Sequence, residues 1–518
     1  MSQLIDPDLI AVQEARDLLR AATEAQAQLA KFSQAQIDSI CAAIKDAALA
    51  NAERLAKLAN SETGYGRAED KTLKNYFAAQ AVFDSIQEMR TVGIVNVDAE
   101  RHFYEVAVPV GVIAALIPST NPTSTVIYKA LIAIKAGNAV VFSPHPGAKG
   151  CIIEAVEVVR RAAEAAGLPS GCIGVAKEAT KEGTHELLSN RQTKLILATG
   201  GEAMVRAAYS SGNPAIGVGP GNGPAFIERS ADIALAVKRI VDSKTFDNGI
   251  ICASEQSIIV ERVSEAAVLA ELDRQGCYFL SEGEKGLVDG ILLTPNFSSN
   301  PAVVGKTAAQ VAALAGFQVP AETRLLIGRE TQIGHKVPFS REKLCPVLAF
   351  FVVDDWHEAC ALAIRILNNE GAGHTMIMHS QNEELIREFA LEKPVSRLLI
   401  NTPGALGGIG ATTLIPPALT LGCGAVGGSS TSDNVTPMNL LNFRRIAYGV
   451  QELSYLRAKV SQDLARLGRT GAAGAEAGVG AGGVAAAGAA AGFSAAEEAL
   501  IEKLVSQAYA RLKAENII

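Results

Sequence analysis

Apolar positions keep a helical rhythm through the first sixty residues and then change period. Over 8–60, Leu9, Val12, Ala15, Leu18 and Leu19 share one stripe, which predicts helices. From about residue 104 the texture is β-branched: "YEVAVPVGVIAALIP" is interrupted at Pro109–Val110–Gly111, as a pair of strands would be. An amphipathic run at 123–137, "TSTVIYKALIAIKAG", closes on Gly137 just before the strand-like "NAVVFSP". Helix "GCIIEAVEVVRRAAEAAG", strand "GCIGVA", a helix at 182–190, strand "KLILAT" and a helix at 201–211 continue the alternation. Elements of these lengths in this order predict a parallel sheet covered on both faces.

A second series starts near 224 with strand "PAFIE", helix "ADIALAVKRIVDSKTF", strand "QSIIVE" and helix "SEAAVLAELDRQ". It continues through "PVLAFFVVDD", a helix at 356–369 and strand "TMIMHS", and ends near 435. Two α/β domains are therefore expected. From Gly471 to Gly492 every residue is Gly or Ala except Glu476, Val479 and Val484, which predicts a flexible linker. Beyond it, Ser494 and Glu497 form a capping box, and Leu500, Ile501, Leu504, Val505, Ala508 and Leu512 fall on one helical face.

Composition narrows the function classes. A chain of 518 residues that is 48% hydrophobic can bury more than one core, and its net charge of −7 argues against a large nucleic-acid surface. The N-terminus is acidic and polar, unlike a secretory signal, and "VGVIAALIP" is too short to cross a bilayer. The eight cysteines form no CxxC pair and the seven histidines no HExxH pattern, so no metal is expected. A soluble cytoplasmic protein with reduced thiols is the working expectation.

Most of these cysteines read as small buried hydrophobes. Cys252 differs: it follows Asn248–Gly249 at a turn after a helix and precedes the strand "QSIIV", a junction where a thiol can face a cleft. The surrounding "FDNGIICASEQSIIV" (246–260) resembles the active-site signature of the aldehyde dehydrogenase superfamily, in particular its CoA-acylating branch. "IPSTNPTSTVIYKALIAIKAGNAVVFSPHP" (117–146), "GVGPGNGPAFI" (217–227) and "GAGHTMIMH" (371–379) resemble that branch in the same order, over roughly residues 5–460.

The resemblance implies a nucleophile at Cys252, which adds to an aldehyde and ends as an acyl thioester after hydride transfer to a nicotinamide. It implies an oxyanion donated to by a backbone N–H and a side-chain amide; Asn121 is the candidate, with Thr120 in play by one step of register, while Asn121 also reads as a turn residue before Pro122. Hydrolytic members carry a glutamate in E-L-G-G-K-x-P. Here that position is Val218, which cannot take a proton, so exchange onto coenzyme A is expected in place of hydrolysis. Glu255 is an unfavoured substitute base. His374 in "GAGHT" either assists the coenzyme A thiol or is a bonded interface histidine. A literal G-x-G-x-x-G at Gly422, Gly424 and Gly427 lacks the strand before and helix after that the motif requires. The resemblance implies instead a cofactor set of Thr199, Gly200 and Gly201, where a helix N-terminus could face phosphate, Glu342 in "EKLCP" for the nicotinamide ribose, and Pro118, Ser143 and His145. Ser143 stands where a lysine often holds the adenosine ribose, and NAD is expected.

The expected layout is an aldehyde dehydrogenase-like pair of doubly wound α/β domains. Residues 1–223 bind NAD and coenzyme A and carry a strand arm near 101–107, and 224–435 hold Cys252. Residues 436–467 return to the cofactor domain for dimer or tetramer contacts, 468–492 form the linker, and 493–518 the amphipathic helix. That last helix resembles encapsulation peptides of bacterial microcompartments, implying shell proteins as partners. The overall resemblance is to their propionaldehyde dehydrogenases, with acetaldehyde enzymes as near neighbours. A hydrolytic dehydrogenase and a silent shell-interaction protein are the rival readings.

Overall fold

The computed structural model describes residues 6–472. It opens with helices α1 (Pro7–Leu29), α2 (Gln34–Ala50), α3 (Ala52–Thr63) and α4 (Ala68–Ile86). Ser33 and Gln36 form the capping box that starts α2. The buried face of α1 is Ala11, Ala15, Leu19, Ala22, Ala25 and Leu29, whereas Leu9 is exposed. The stripe read from the larger residues is thus displaced, because alanines make the close contact.

Strands β1 (Gly93–Asp98) and β2 (Phe103–Pro109) pair antiparallel. The first parallel sheet follows: β3 (Val112–Ile117), α5 (Pro122–Lys135), β4 (Ala139–Pro144), α6 (Lys149–Ala165), β5 (Ile173–Val175), α7 (Lys181–Ser189), β6 (Thr193–Thr199), α8 (Glu202–Tyr209) and β7 (Ala215–Val218). The strand order is β5-β4-β3-β6-β7. The chain winds outward from β3 to β5 and then returns to the other side of β3, so its direction reverses between β3 and β6, the place where such sheets leave a crevice. Every residue of β3 and β4 is buried, as their unbroken apolar runs require. Lys129 of α5 lies buried beneath that crevice, donating to the carbonyls of Leu116 (2.8 Å) and Leu197 (2.9 Å). The sequence pattern had joined β2 to β3; the structure places them in different sheets, because Pro109–Gly111 is a crossing point and not a hairpin turn.

The second parallel sheet holds β8 (Gly223–Ile227), α9 (Ile233–Thr245), β9 (Glu255–Glu261), α10 (Glu265–Arg274), β10 (Cys277–Phe279), α11 (Glu282–Leu292), α12 (Ala308–Ala315), β11 (Leu325–Arg329), β12 (Val347–Val353), α13 (Trp356–Asn369), β13 (Gly373–His379), α14 (Glu383–Leu391), β14 (Val395–Ile400) and α15 (Gly404–Gly408). Its order is β10-β11-β12-β9-β8-β13-β14. Two apolar clusters cover it. One includes Phe226, Val347, Met376 and Phe389; the other includes Ile258, Ile240, Leu348 and Phe350. Each such side chain fully buried contributes roughly 1.5–3 kcal/mol. Only residues 219–222 separate β7 from β8, so the C-terminal edge of the first sheet leads directly into the N-terminal edge of the second.

Among the described residues, 6–91 and 109–442 form one compact unit, and 92–108 with 443–472 form another. In the latter, β15 (Leu441–Ala447) extends the β1-β2 ribbon, and α16 (Leu453–Ala472) follows. Tyr104 and Tyr448 meet edge to face at 5.8 Å, and Arg445 pairs with Glu105 at 3.1 Å. Helical backbone continues to Ala472, past the residue 468 at which the linker was expected to begin. The rest of that linker and the helix expected at 493–518 lie outside the described residues.

Candidate active site

Helix α9 ends at Thr245, and after the extended Phe246 three residues are left-handed: Asp247 (φ 46°), Asn248 (φ 53°) and Gly249 (φ 74°). Asp and Asn tolerate that region better than other residues with side chains. At Gly249 a Cβ would stand 2.9 Å from the Lys244 carbonyl oxygen, so only glycine fits. The sharp turn is anchored by the buried Asp247 carboxylate, which accepts from the Arg67 amide (2.6 Å), Lys71 Nζ (3.1 Å) and Lys74 Nζ. Burial alone would raise this carboxyl, but Lys74 and Lys71 hold it below its ordinary value. Cys252 follows, in the segment leading into β9.

Of the eight cysteines, Cys252 alone keeps partial exposure; the other seven are buried. Its thiol nevertheless lies in a desolvated setting. Burial, then Glu342 and Cys423, push it up to about 12, with Arg397 opposing them. The resting group is a neutral thiol.

Four neighbouring strands, β12, β9, β8 and β13, bring their N-terminal ends together here. Glu342 precedes β12, Cys252 precedes β9, Gly221 precedes β8, and His374 is the second residue of β13. The Gly221 amide donates to Glu342 Oε1 at 2.9 Å. A Cβ on Gly221 would lie 2.0 Å from the Cys252 carbonyl oxygen and 3.4 Å from His374 Cε1. Glycine is therefore the point at which the segments carrying Glu342, Cys252 and His374 converge. Glu342 is buried and pushed up to about 8, first by burial and then by Glu370. His374 is fully buried, with Nδ1 2.9 Å from Thr375 Oγ1 and Nε2 without a partner.

Asn121 stands at the N-cap of α5 without capping it. Its Oδ1 accepts from Lys74 Nζ at 2.6 Å and its Nδ2 donates to Thr120 Oγ1 at 3.2 Å. Lys74 also binds Asp247, so one ammonium ties Asn121 to the turn before Cys252. With the carbonyl oxygen fixed, a second amide N–H is left to give.

The expected cofactor residues gather on the C-terminal edge of the first sheet. Leu116 of β3 is level with Ser143 of β4 and with Ala198 of β6, so Pro118, Ser143, His145 and Thr199–Gly201 lie along one rim at the crevice. Ser143 Oγ lies 3.3 Å from Thr184 Oγ1, His145 Nδ1 accepts from the Gly147 amide at 3.0 Å, and Thr199 Oγ1 is 3.2 Å from Thr420 Oγ1. Gly201 caps α8 with no side chain of its own, and a Cβ there would meet nothing within 4 Å. Free amides beside open space suit a phosphate. Glu342 sits apart from this rim, beside Gly221 and the segment carrying Cys252.

Val218 is buried at the end of β7, level with Thr199, and brings no acidic group. Glu255, pushed up to about 7 by burial, is committed through Oε1 to the Gly404 amide at 2.7 Å, on the side of α15. The glycines at 422, 424 and 427 lead into the short turn Ala425–Gly427 and not a helix. Sequence reasoning passed over Gly221, Lys74, Thr375 and Arg397. Only the "GPGNGP" and "GAGHT" motifs flanked any of them. Among the described residues no group of three or more His, Cys, Asp or Glu could hold a metal, and no helix is long and apolar enough to cross a membrane.

The aldehyde dehydrogenase family profile matches residues 3–275. The bifunctional aldehyde-alcohol dehydrogenase AdhE of Escherichia coli K12 is 42% identical over 444 residues, 84% of this chain and 49% of that protein, so the chain spans about half the length of this relative. An acetylating aldehyde dehydrogenase from Geobacillus thermoglucosidasius superposes with a TM-score of 0.86 at 50% identity, over 87% of this chain and 99% of its own. A propionaldehyde dehydrogenase from the Clostridium phytofermentans fucose utilisation bacterial microcompartment has a TM-score of 0.77 at 27% identity, over 85% and 98% respectively.

Proposed function

The chain belongs to the aldehyde dehydrogenase family, and from that premise we propose that it oxidises a short aliphatic aldehyde to an acyl-coenzyme A with NAD as electron acceptor. The observation that carries the reading is the pairing of a single partly exposed thiol, Cys252, with a buried valine at 218 in place of a proton acceptor.

Cys252 gives its thiol proton to solvent, Sγ bonds to the aldehyde carbon, and the carbonyl π pair moves onto the oxygen, which takes the negative charge. The Cys252 amide and Asn121 Nδ2 are the donors for that oxygen; a preset donor of this kind is worth about 3–4 kcal/mol in the transition state. NAD, held by Glu342, Thr199–Gly201, Pro118, Ser143 and His145, supplies a hydride acceptor. The product remains on Cys252 as a thioester. Water would need a base to attack it, and the absence of one costs about 10²–10⁴ in rate. A thiol is the stronger nucleophile, and coenzyme A leaves with the acyl group.

Measuring NADH with and without coenzyme A, alongside the product, tests this. Acyl-coenzyme A and a coenzyme-dependent rate are expected; equal rates with free acid would make the enzyme hydrolytic. The sequence pointed to propanal, but the 50% identity to an acetylating enzyme, against 27% to a propionaldehyde enzyme, supports acetaldehyde as a second reading. A higher kcat/KM for one of the two aldehydes decides between them.

Microcompartment residence rests on the composition of 471–518. Deleting these residues should leave the specific activity unchanged and abolish co-purification with shell proteins; lost activity would assign the tail to the fold.

A further inference from the structure

Arg397 of β14 is buried beside this site. A guanidinium has five N–H groups, and here each has an acceptor. Nε donates to Thr375 Oγ1 (3.4 Å), Nη1 to the Ser432 carbonyl (3.2 Å) and Asn434 Oδ1 (3.2 Å), and Nη2 to the carbonyls of His374 (3.1 Å) and Gly422 (2.6 Å). None of the acceptors is a carboxylate. The charge is fixed and has no donor left for a substrate.

The consequence passes to Thr375. Its hydroxyl oxygen accepts from Arg397 and lies 2.9 Å from His374 Nδ1, a contact in which either atom can be the donor. If the hydroxyl gives its proton to the Nδ1 lone pair, the neutral ring carries its own proton on Nε2. That nitrogen is buried without a partner, on a ring whose Cε1 lies 3.4 Å from the Cβ direction of Gly221, against the Cys252 carbonyl. In that tautomer Nε2–H is a buried donor without an acceptor, which is uncommon in a native interior.

We propose that His374 acts as a hydrogen-bond donor through Nε2–H, set in that tautomer by Thr375 and Arg397 as positioning residues, and that it does not take the proton of the incoming thiol. The proposal rests on the acyl-transfer reading of Cys252. Burial and Arg397 push the imidazole down to about 3, which agrees with a ring that stays neutral. The other titratable groups around the site are Cys252, Cys423 and Glu342, and none of them supplies a carboxylate partner to either ring nitrogen.

In the step this implies, the coenzyme thiol ionises to solvent and its sulfur bonds to the thioester carbon. The carbonyl oxygen gains charge and accepts from Nε2–H. The bond from carbon to Cys252 Sγ then breaks, and the departing thiolate takes a proton from solvent, so one proton is lost and one gained.

The test uses the full chain acylated by aldehyde and NAD, then mixed with coenzyme A. The wild-type transfer rate should rise about tenfold per pH unit from 6 to 8, following ionisation of the free thiol. No inflection should fall near 6.5, about the imidazole value. His374→Gln, which retains an N–H donor, should stay within about tenfold of wild type, while His374→Ala should lose about 10²–10³. Equal losses in both variants, or an inflection near 6.5, would overturn the proposal. Nitrogen-15 NMR of histidine-labelled enzyme, assigned by subtraction of His374→Gln, should show the proton on Nε2, with that preference lost in Thr375→Val. A proton on Nδ1 would overturn the proposal without any turnover. Free acid in place of acyl-coenzyme A would instead refute the acylating reading, and the NMR result would still decide the tautomer.

Discussion

The two sheet edges joined by residues 219–222 are built from different materials. The C-terminal edge of the first sheet presents backbone, glycine and hydroxyl groups: Gly201 opens onto space, and Thr199 and Ser143 bond to other hydroxyls. The N-terminal edge of the second packs titratable side chains out of water, with Cys252 pushed up to about 12, Glu342 up to about 8 and His374 down to about 3. One edge is suited to gripping a polyanion through main-chain amides, which do not titrate. The other holds groups whose protonation has been displaced by burial, as chemistry at a carbonyl requires.

The sharpest break of this comparison is Cys252→Ser. Aldehyde oxidation should fall by about 10⁴-fold or more, as for loss of other covalent nucleophiles, while the circular dichroism spectrum is unchanged; NADH appearance is the measurement. Next comes a matched pair of glycines. Gly221→Ala places a methyl 2.0 Å from a carbonyl oxygen, and kcat should drop on the order of 10²-fold, the scale of a small misplacement at the reacting groups. Gly201→Ala meets no protein atom within 4 Å but enters the open space read as the phosphate site, so the fold and kcat should be kept while KM for NAD rises. Similar losses at both positions would erase the distinction between the edges.

The smallest effect is on stability. Glu342 in the fold keeps its proton up to about 8, whereas unfolded it loses it near 4.5. Between those values the unfolded chain binds fewer protons, so Glu342 makes stability fall as pH rises from about 5 to 8. Glu342→Gln removes this slope. Thermal melts should show a Tm higher by a few degrees at pH 8 and little changed at pH 5.

Much of the fold was readable where a signal is local. The unbroken apolar runs of β3 and β4 announce strands covered on both faces, and the helix expected at 356–369 is α13. Sheet membership was not readable: Pro109–Gly111 has the local chemistry of a turn, and only distant partners assign β2 and β3 to different sheets. β10, three residues long, carries too short a pattern to register. In the site, a place at a turn after a helix and the family resemblance singled out Cys252, and the resemblance singled out His374. Lys74 and Arg397 were invisible because their meaning lies in contacts with Asp247, 173 positions away, and with Asn434, 37 positions away.

The guanidinium of Arg397 has one more consequence. Charges that meet across solvent weaken as dissolved ions gather around them, over a Debye length of about 8 Å at physiological ionic strength. Arg397 is largely buried, bonded to Thr375, Asn434 and three peptide carbonyls, so dissolved ions screen it less than they screen a surface charge. Its effect on the thiol should therefore depend on the concentration of salt less than a surface pair would.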